Sequence, residues 1–223
     1  MAELLAMLRK EWKSEGRTIH GLLSAGLFSL LAVVTLSYST YLEKPSPTVA
    51  GGLIGVALLF SAVSGLPRTL LAEEEQGTFD LLRMIAPPQA AIWGKMLFNI
   101  FQMLITALLL GVVFVAFGGI EVKSPGLYVA TLAVEALALG AGVTFCGALS
   151  MGASNRWVLV GVLALPILLP QMAAGIGAFR GAFGAGSTQS GWTNLLVLFG
   201  YATGLLSIGP VLVASIWKPH DTR

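Results

Sequence analysis

Charge is what this 223-residue chain has least of. It carries 13 Lys+Arg and 11 Asp+Glu, 11% of its residues, where a soluble domain carries about 25%. So few charges cannot cover a folded core in water, which excludes an ordinary soluble domain. A disordered chain is excluded too, because 56% of the residues are hydrophobic and the mean hydropathy is +0.83. Cysteine is nearly absent. Cys146 stands alone, which excludes a disulfide framework and any multi-cysteine metal site. Two histidines, His20 and His220, leave little for metal chemistry, and a net charge of +2 is too small to point to nucleic acid. What remains is a polytopic, all-α membrane protein.

A helix crossing a hydrocarbon layer of roughly 30 Å needs about 20 predominantly apolar residues. Six segments qualify: Thr18–Leu42, Thr48–Leu71, Met96–Gly118, Leu127–Met151, Trp157–Phe179 and Gly191–Trp217. Glu135 is the only charge well inside any of them; Arg68 lies about one turn from the end of its span, where a long side chain reaches the headgroups. The seven charges in the first 17 residues, and the length of the run that follows, argue against a cleavable signal. The chain reads as a single transmembrane domain over residues 1–223, without internal repeats.

Basic residues set the expected orientation. Alternate loops, beginning with the N-terminus, hold Arg9, Lys10, Lys13, Arg17, Arg68, Arg83, Lys95, Arg156, Lys218 and Arg223; the opposite loops hold only Lys44, Lys123 and Arg180. Six spans with both termini in the cytoplasm follow. Pro166 and Pro170 predict a kink or break in the fifth span, and Pro210 the same in the sixth. Glycine pairs four apart (Gly51/Gly55, Gly177/Gly181, Gly200/Gly204) are candidates for close helix approach. The stretch Gly181–Gly191 reads either as a loop or as a re-entrant segment.

Residues 1–17 read as an amphipathic helix lying on the membrane surface. Leu4, Leu5, Leu8 and Trp12 share one face, and Arg9, Lys10, Lys13 and Arg17 are directed toward anionic lipid.

The longest charged stretch opens the segment 73–95, between the second and third spans. It runs Glu73-Glu74-Glu75-Gln76-Gly77-Thr78-Phe79-Asp80-Leu81-Leu82-Arg83-Met84-Ile85-Ala86-Pro87-Pro88. Gly77 allows a sharp turn out of the preceding helix. Thr78 is a good N-cap, and Asp80 complements the N–H groups of a first turn. Phe79, Leu82 and Met84 or Ile85 give a short helix one apolar side, and the two prolines end it. A short helix of this kind, with four acids around its start, suits the groove of a soluble partner.

The pattern Glu73-x-Glu75-x-Gly77-Thr78-x-Asp80-x-Leu82, followed by prolines and Gly94-Lys95, resembles the coupling segment of ABC-2-type permeases. Within that group nearly the whole chain resembles the heme exporter protein B family, CcmB, of cytochrome c maturation. Gly147-Ala148-Leu149 ahead of Asn155-Arg156, and Leu165-Pro166 followed by Leu169-Pro170, carry the narrower likeness. Asp80 stands where Glu is commoner, which keeps a carboxylate at the helix start.

The resemblance implies a permease subunit of the bacterial inner membrane, a homodimer or paired with another permease. A separate CcmA-like ATPase would dock on Glu73, Glu75, Gly77, Thr78, Phe79, Asp80 and Leu82. The wider partners it implies are CcmC-like and CcmD-like subunits and a CcmE-like heme chaperone. The implied task is moving heme or releasing the heme-loaded chaperone. No cofactor is expected on this chain itself. ATP would be hydrolysed elsewhere, because no G-x-x-x-x-G-K-[ST] motif occurs; the run Gly181–Thr188 lacks the lysine. Two rival readings stay open: an ABC-2 permease for a lipid or drug, and a non-transporting assembly scaffold.

Glu135 is expensive where it sits, by about 2.5–3.5 kcal/mol if like a central Asp. It either touches a substrate path or partner helix, or is a neutral acid bonded to a hydroxyl or to backbone, or sits shallower in the membrane than its place in the span implies. His20 reads as an interfacial structural histidine and Cys146 as a small apolar side chain. No catalytic or metal constellation is present, so the chain reads as no enzyme.

Overall fold

The computed structural model describes residues 2–15, 44–65, 87–151 and 155–216, with positions 27, 30, 31, 33–35, 38, 73, 75–78, 81, 84 and 153. The described elements are helices α1 (Ala2–Glu15), α2 (Pro47–Gly65), α3 (Pro88–Gly118), α4 (Pro125–Leu149), α5 (Arg156–Ala182) and α6 (Thr188–Ile216). Among the described residues, α2 to α6 supply five helices long and apolar enough to cross a membrane. The first expected span, Thr18–Leu42, lies largely outside the described residues; the seven of its positions that are described are helical.

Helix α4 is the hub. It packs on α3, α5 and α6, and is the most enclosed of the five long helices. Its small side chains allow this. A β-carbon on Gly140 would lie 2.8 Å from the Ile100 Cα of α3, so the two backbones meet with nothing between them. Asn99 of α3 reinforces the contact by donating to Thr144 Oγ1 at 2.8 Å, and Thr144 in turn donates to the Gly140 carbonyl at 2.6 Å. At one end of the bundle the Tyr128 ring lies 5.9 and 5.4 Å from the rings of Phe179 and Phe183, and its hydroxyl donates to the Gly111 carbonyl at 2.9 Å.

Two of the three glycine pairs mark real contacts. Gly51 and Gly55 of α2 face Arg180, Ile176 and Met172 of α5; Gly177 and Gly181 of α5 face Asn194 and Gly191 of α6. Gly200 and Gly204 face no described atom within 4 Å. Helix α5 runs through Pro166 and Pro170, and α6 through Pro210, as single helices. Of the expected kink or break, the break does not occur, because neighbouring helices and local adjustment tolerate proline within a membrane bundle. Between α5 and α6 only residues 183–187 are non-helical, with Gly184 and Gly186 at φ 89° and 84°. Gly181–Gly191 is thus a tight turn flanked by helix ends, not a re-entrant segment.

Helix α3 begins at Pro88, two turns before the expected Met96, and ends at Gly118. Its 31 residues span about 46 Å at 1.5 Å per residue, well beyond a hydrocarbon layer of about 30 Å. The surplus turns carry α1, which packs along them: Met7 lies against Gly94, and Trp12 against the rings of Phe98 and Phe101 at 6.4 and 5.5 Å. The face of α1 turned toward the bundle is therefore that of Met7 and Glu11, both buried. Trp12, 59% exposed, lies at its edge, and the side chains of Leu4 and Leu5 lie outside the described residues.

Candidate functional site

The segment after α2 is held from below by its own turn. Gly77 takes φ 68°, and across it the Thr78 N–H donates to the Glu73 carbonyl at 2.9 Å. This is the six-to-one closure that ends a helix at a left-handed glycine. The Thr78 hydroxyl also turns back, lying 3.1 Å from the Glu73 carbonyl and 2.8 Å from its Oε2. Thr78 therefore serves the end of the preceding helix; Phe79 and Asp80, in the turn it was expected to cap, lie outside the described residues.

Glu73 is drawn into a closed set of charges. Lys95, wholly buried in α3, places Nζ 2.8 Å from Glu11 Oε1 and 3.1 Å from Glu73 Oε1. Lys10 is hydrogen-bonded to Glu73 and lies 3.4 Å from Glu11 Oε1. Each cation touches both carboxylates, so four residues from three separate parts of the chain form a neutral ring. Burial opposes the charge on Glu73, but the Lys95 charge, the Lys10 hydrogen bond and the Thr78 hydroxyl outweigh it and hold the carboxyl at about 2. Burial likewise opposes the charge on Lys10, and Glu73 with Glu11 overcomes it, raising its pKa.

Of the residues expected to meet a partner, Glu73 is thus turned inward, while Glu75 and Gly77 are exposed. Phe79, Asp80 and Leu82 lie outside the described residues. Leu81 and Met84, three apart and both helical, are 58% and 85% exposed.

Residues 2–217 match the family described as CcmB protein. The chain belongs to the CcmB family. That makes it a transport permease of cytochrome c biogenesis and a membrane protein, not an enzyme. No curated protein matches the chain.

Elsewhere in this CcmB-family chain, Glu135 lies in the middle of α4, fully buried against α5. Neither carboxyl oxygen has a hydrogen-bond partner among the described residues. The carboxyl rests on Gly175, where a β-carbon would come within 2.1 Å of Oε2. Gln171, one turn away on α5, is also fully buried, with neither amide atom partnered among the described residues. The two point apart along the seam, Glu135 onto Gly175 and Gln171 toward Gly142. Among the described residues, Glu135 makes no bond to a hydroxyl or to backbone.

Sequence reasoning missed Lys95, Glu11 and Lys10 as members of a charge ring, counting Lys10 as a topology charge directed toward anionic lipid and Lys95 as a topology charge within the Gly94-Lys95 pattern; Lys10 turns instead to Glu73. One signal was available. Proline favours the first position of a helix, so Pro88 places Lys95 two turns inside one, on the stripe that continues through Asn99, Gln102 and Thr106. All four are buried.

Proposed function

We propose that the chain is the permease subunit of an ABC-type assembly in the bacterial inner membrane, with both termini cytoplasmic, driven by a separate CcmA-like ATPase that docks on residues 75–86, the Glu73 carboxylate being turned inward to Lys10 and Lys95. Its cargo is heme, either moved across the bilayer or released with a heme-loaded, CcmE-like chaperone, in company with CcmC-like and CcmD-like subunits. The permease works as a homodimer or paired with a second permease. Glu135, mid-membrane and without a hydrogen-bond partner among the described residues, is the residue we assign to the cargo path or to a partner helix.

The observation that carries this reading is the exposure of Leu81 and Met84, 58% and 85%. They lie one helical turn apart, next to a turn that two ionic contacts of Glu73, to Lys10 and Lys95, tie down. Large apolar side chains held out on an anchored segment fit the helix-in-groove mode of recognition. The test is to purify the protein with its native neighbours, as wild type and as Leu81→Asp/Met84→Asp. An ATPase that accompanies the wild type and is lost from the variant supports docking at this segment; equal retention would refute it.

A further inference from the structure

The ring of Lys10, Glu11, Glu73 and Lys95 joins segments that the chain keeps far apart: α1, the turn before the docking segment, and the start of α3. Each carries a different load. The turn leads into residues 81–86. Helix α1 packs along the surplus turns of α3 through Met7 and Trp12. Helix α3 continues into the membrane against α4 at Gly140 and Thr144. Without the ring, the described contacts of the turn with α1 and α3 would be lost, since among the described residues every hydrogen bond of Glu73 outside its own turn goes to Lys10 or Lys95.

The location of the cation is telling. A lysine needed only for topology would extend its amine into water, as long cationic side chains do at membrane ends. Lys95 is instead 0% exposed, held between Glu11 and Glu73. Burying an ion pair gains little stability over an apolar replacement of similar shape, and its best-attested benefit is to fix one arrangement. The ring is intolerant of a shifted register, because sliding α1 or α3 by a turn would carry its charges about 5.4 Å from their partners.

We propose that this ring is the mechanical joint of the permease: it makes α1, the 73–78 turn and the first turns of α3 move as one body. Displacement of the docking segment by the ATPase is then delivered to α3, and through Gly140 and Asn99 to α4, and is not lost in a loose connection. Glu73 and Glu11 act as positioning residues. The inference rests on the reading that residues 75–86 dock the ATPase.

The experiment uses the full complex, with Glu73→Gln and, separately, Glu11→Gln. Both variants keep the side-chain shape and an acceptor oxygen while removing a charge. Three quantities are measured: the ATPase that co-purifies, ATP hydrolysis by the purified complex, and c-type cytochromes accumulated by cells. The expected result for Glu73→Gln is wild-type ATPase retention and hydrolysis within twofold, with cytochromes reduced at least fivefold. Glu11→Gln should move the same ratio in the same direction by less. A merely structural role would lower hydrolysis and cytochromes together, and that result, or an unchanged ratio, would overturn the joint. Loss of the ATPase from the Leu81→Asp/Met84→Asp complex, measured in parallel, tests docking by itself, so a failed joint and a failed docking site give different outcomes.

Discussion

The carboxyl of Glu135 occupies the space that a β-carbon on Gly175 would need, with Oε2 2.1 Å from that position. The α4–α5 seam therefore closes only because one helix carries an acid and the other has no side chain opposite it. Gly175→Ala should force the seam apart and destabilise the protein by about 1–3 kcal/mol, the usual cost of overpacking. Glu135→Ala in the same chain removes the obstacle and should recover most of that loss. Glu135→Gln, equal in size, should not. Thermal melting of the purified variants separates the cases, and recovery by Gln as complete as by Ala would show that charge, not space, governs the seam.

Among the described residues of the docking segment, Gly77 is the one whose backbone restricts its identity. At φ 68° an L side chain costs about 1–2 kcal/mol, and asparagine, which tolerates this region better than most, should cost less. Gly77→Val is expected to loosen the Thr78-to-Glu73 closure and to increase amide hydrogen exchange across residues 73–78, with Gly77→Asn intermediate. Equal exchange in all three proteins would mean that the ring alone fixes the turn.

The ring should also give stability a defined pH dependence. The Glu73 carboxyl is lowered from 4.5 to about 2, so its contribution is present above 4.5 and is lost as pH falls toward 2. Lys10 is raised above its ordinary 10.5, so its contribution is present below that value and is lost as pH rises through the raised one. A plateau between those limits follows. Melting temperature measured from pH 7 down to pH 3 should fall more steeply for the wild type than for Glu73→Gln. Parallel curves would show that Glu73 gains nothing from its partners.

Elements that reveal themselves by local pattern were legible in the sequence. Pro125 and Leu127 start α4 where the apolar run begins, and Glu135 stands out because nothing else in its span is charged. The start of α3 was missed because an apolar count begins at Met96, whereas the helix begins at the proline two turns earlier. The ring was not legible at all. Its bonds join residues 84, 63 and 22 positions apart, and no periodicity connects them. Hydropathy reads a lysine beside a span as a surface charge. Only the packing of α1 against α3 turns Lys95 into an interior one. The seat of Glu135 was hidden for the same reason: its partner is a glycine, which signals only an absence.

The polar bridge between α3 and α4 can be measured directly. Asn99 Nδ2 donates to Thr144 Oγ1 at 2.8 Å, both residues being fully buried. Interhelical hydrogen bonds of this kind in a membrane average about 0.6 kcal/mol and reach about 1.7, because the separated helices find other partners. Thr144→Val keeps the shape and removes the acceptor; Asn99→Leu removes the donor at similar size. A double-mutant cycle by thermal or denaturant unfolding in detergent should give a coupling energy of about 0.5–1.5 kcal/mol. The single variants should each lose at least that much, since either change leaves the other residue without this bond. Zero coupling would assign the α3–α4 contact at this level to Gly140 and Ile100, with Tyr128 and Gly111 holding its other end. The joint would then transmit through backbone packing, and Gly140→Ala, which brings a β-carbon to 2.8 Å from Ile100 Cα, should be the more damaging substitution.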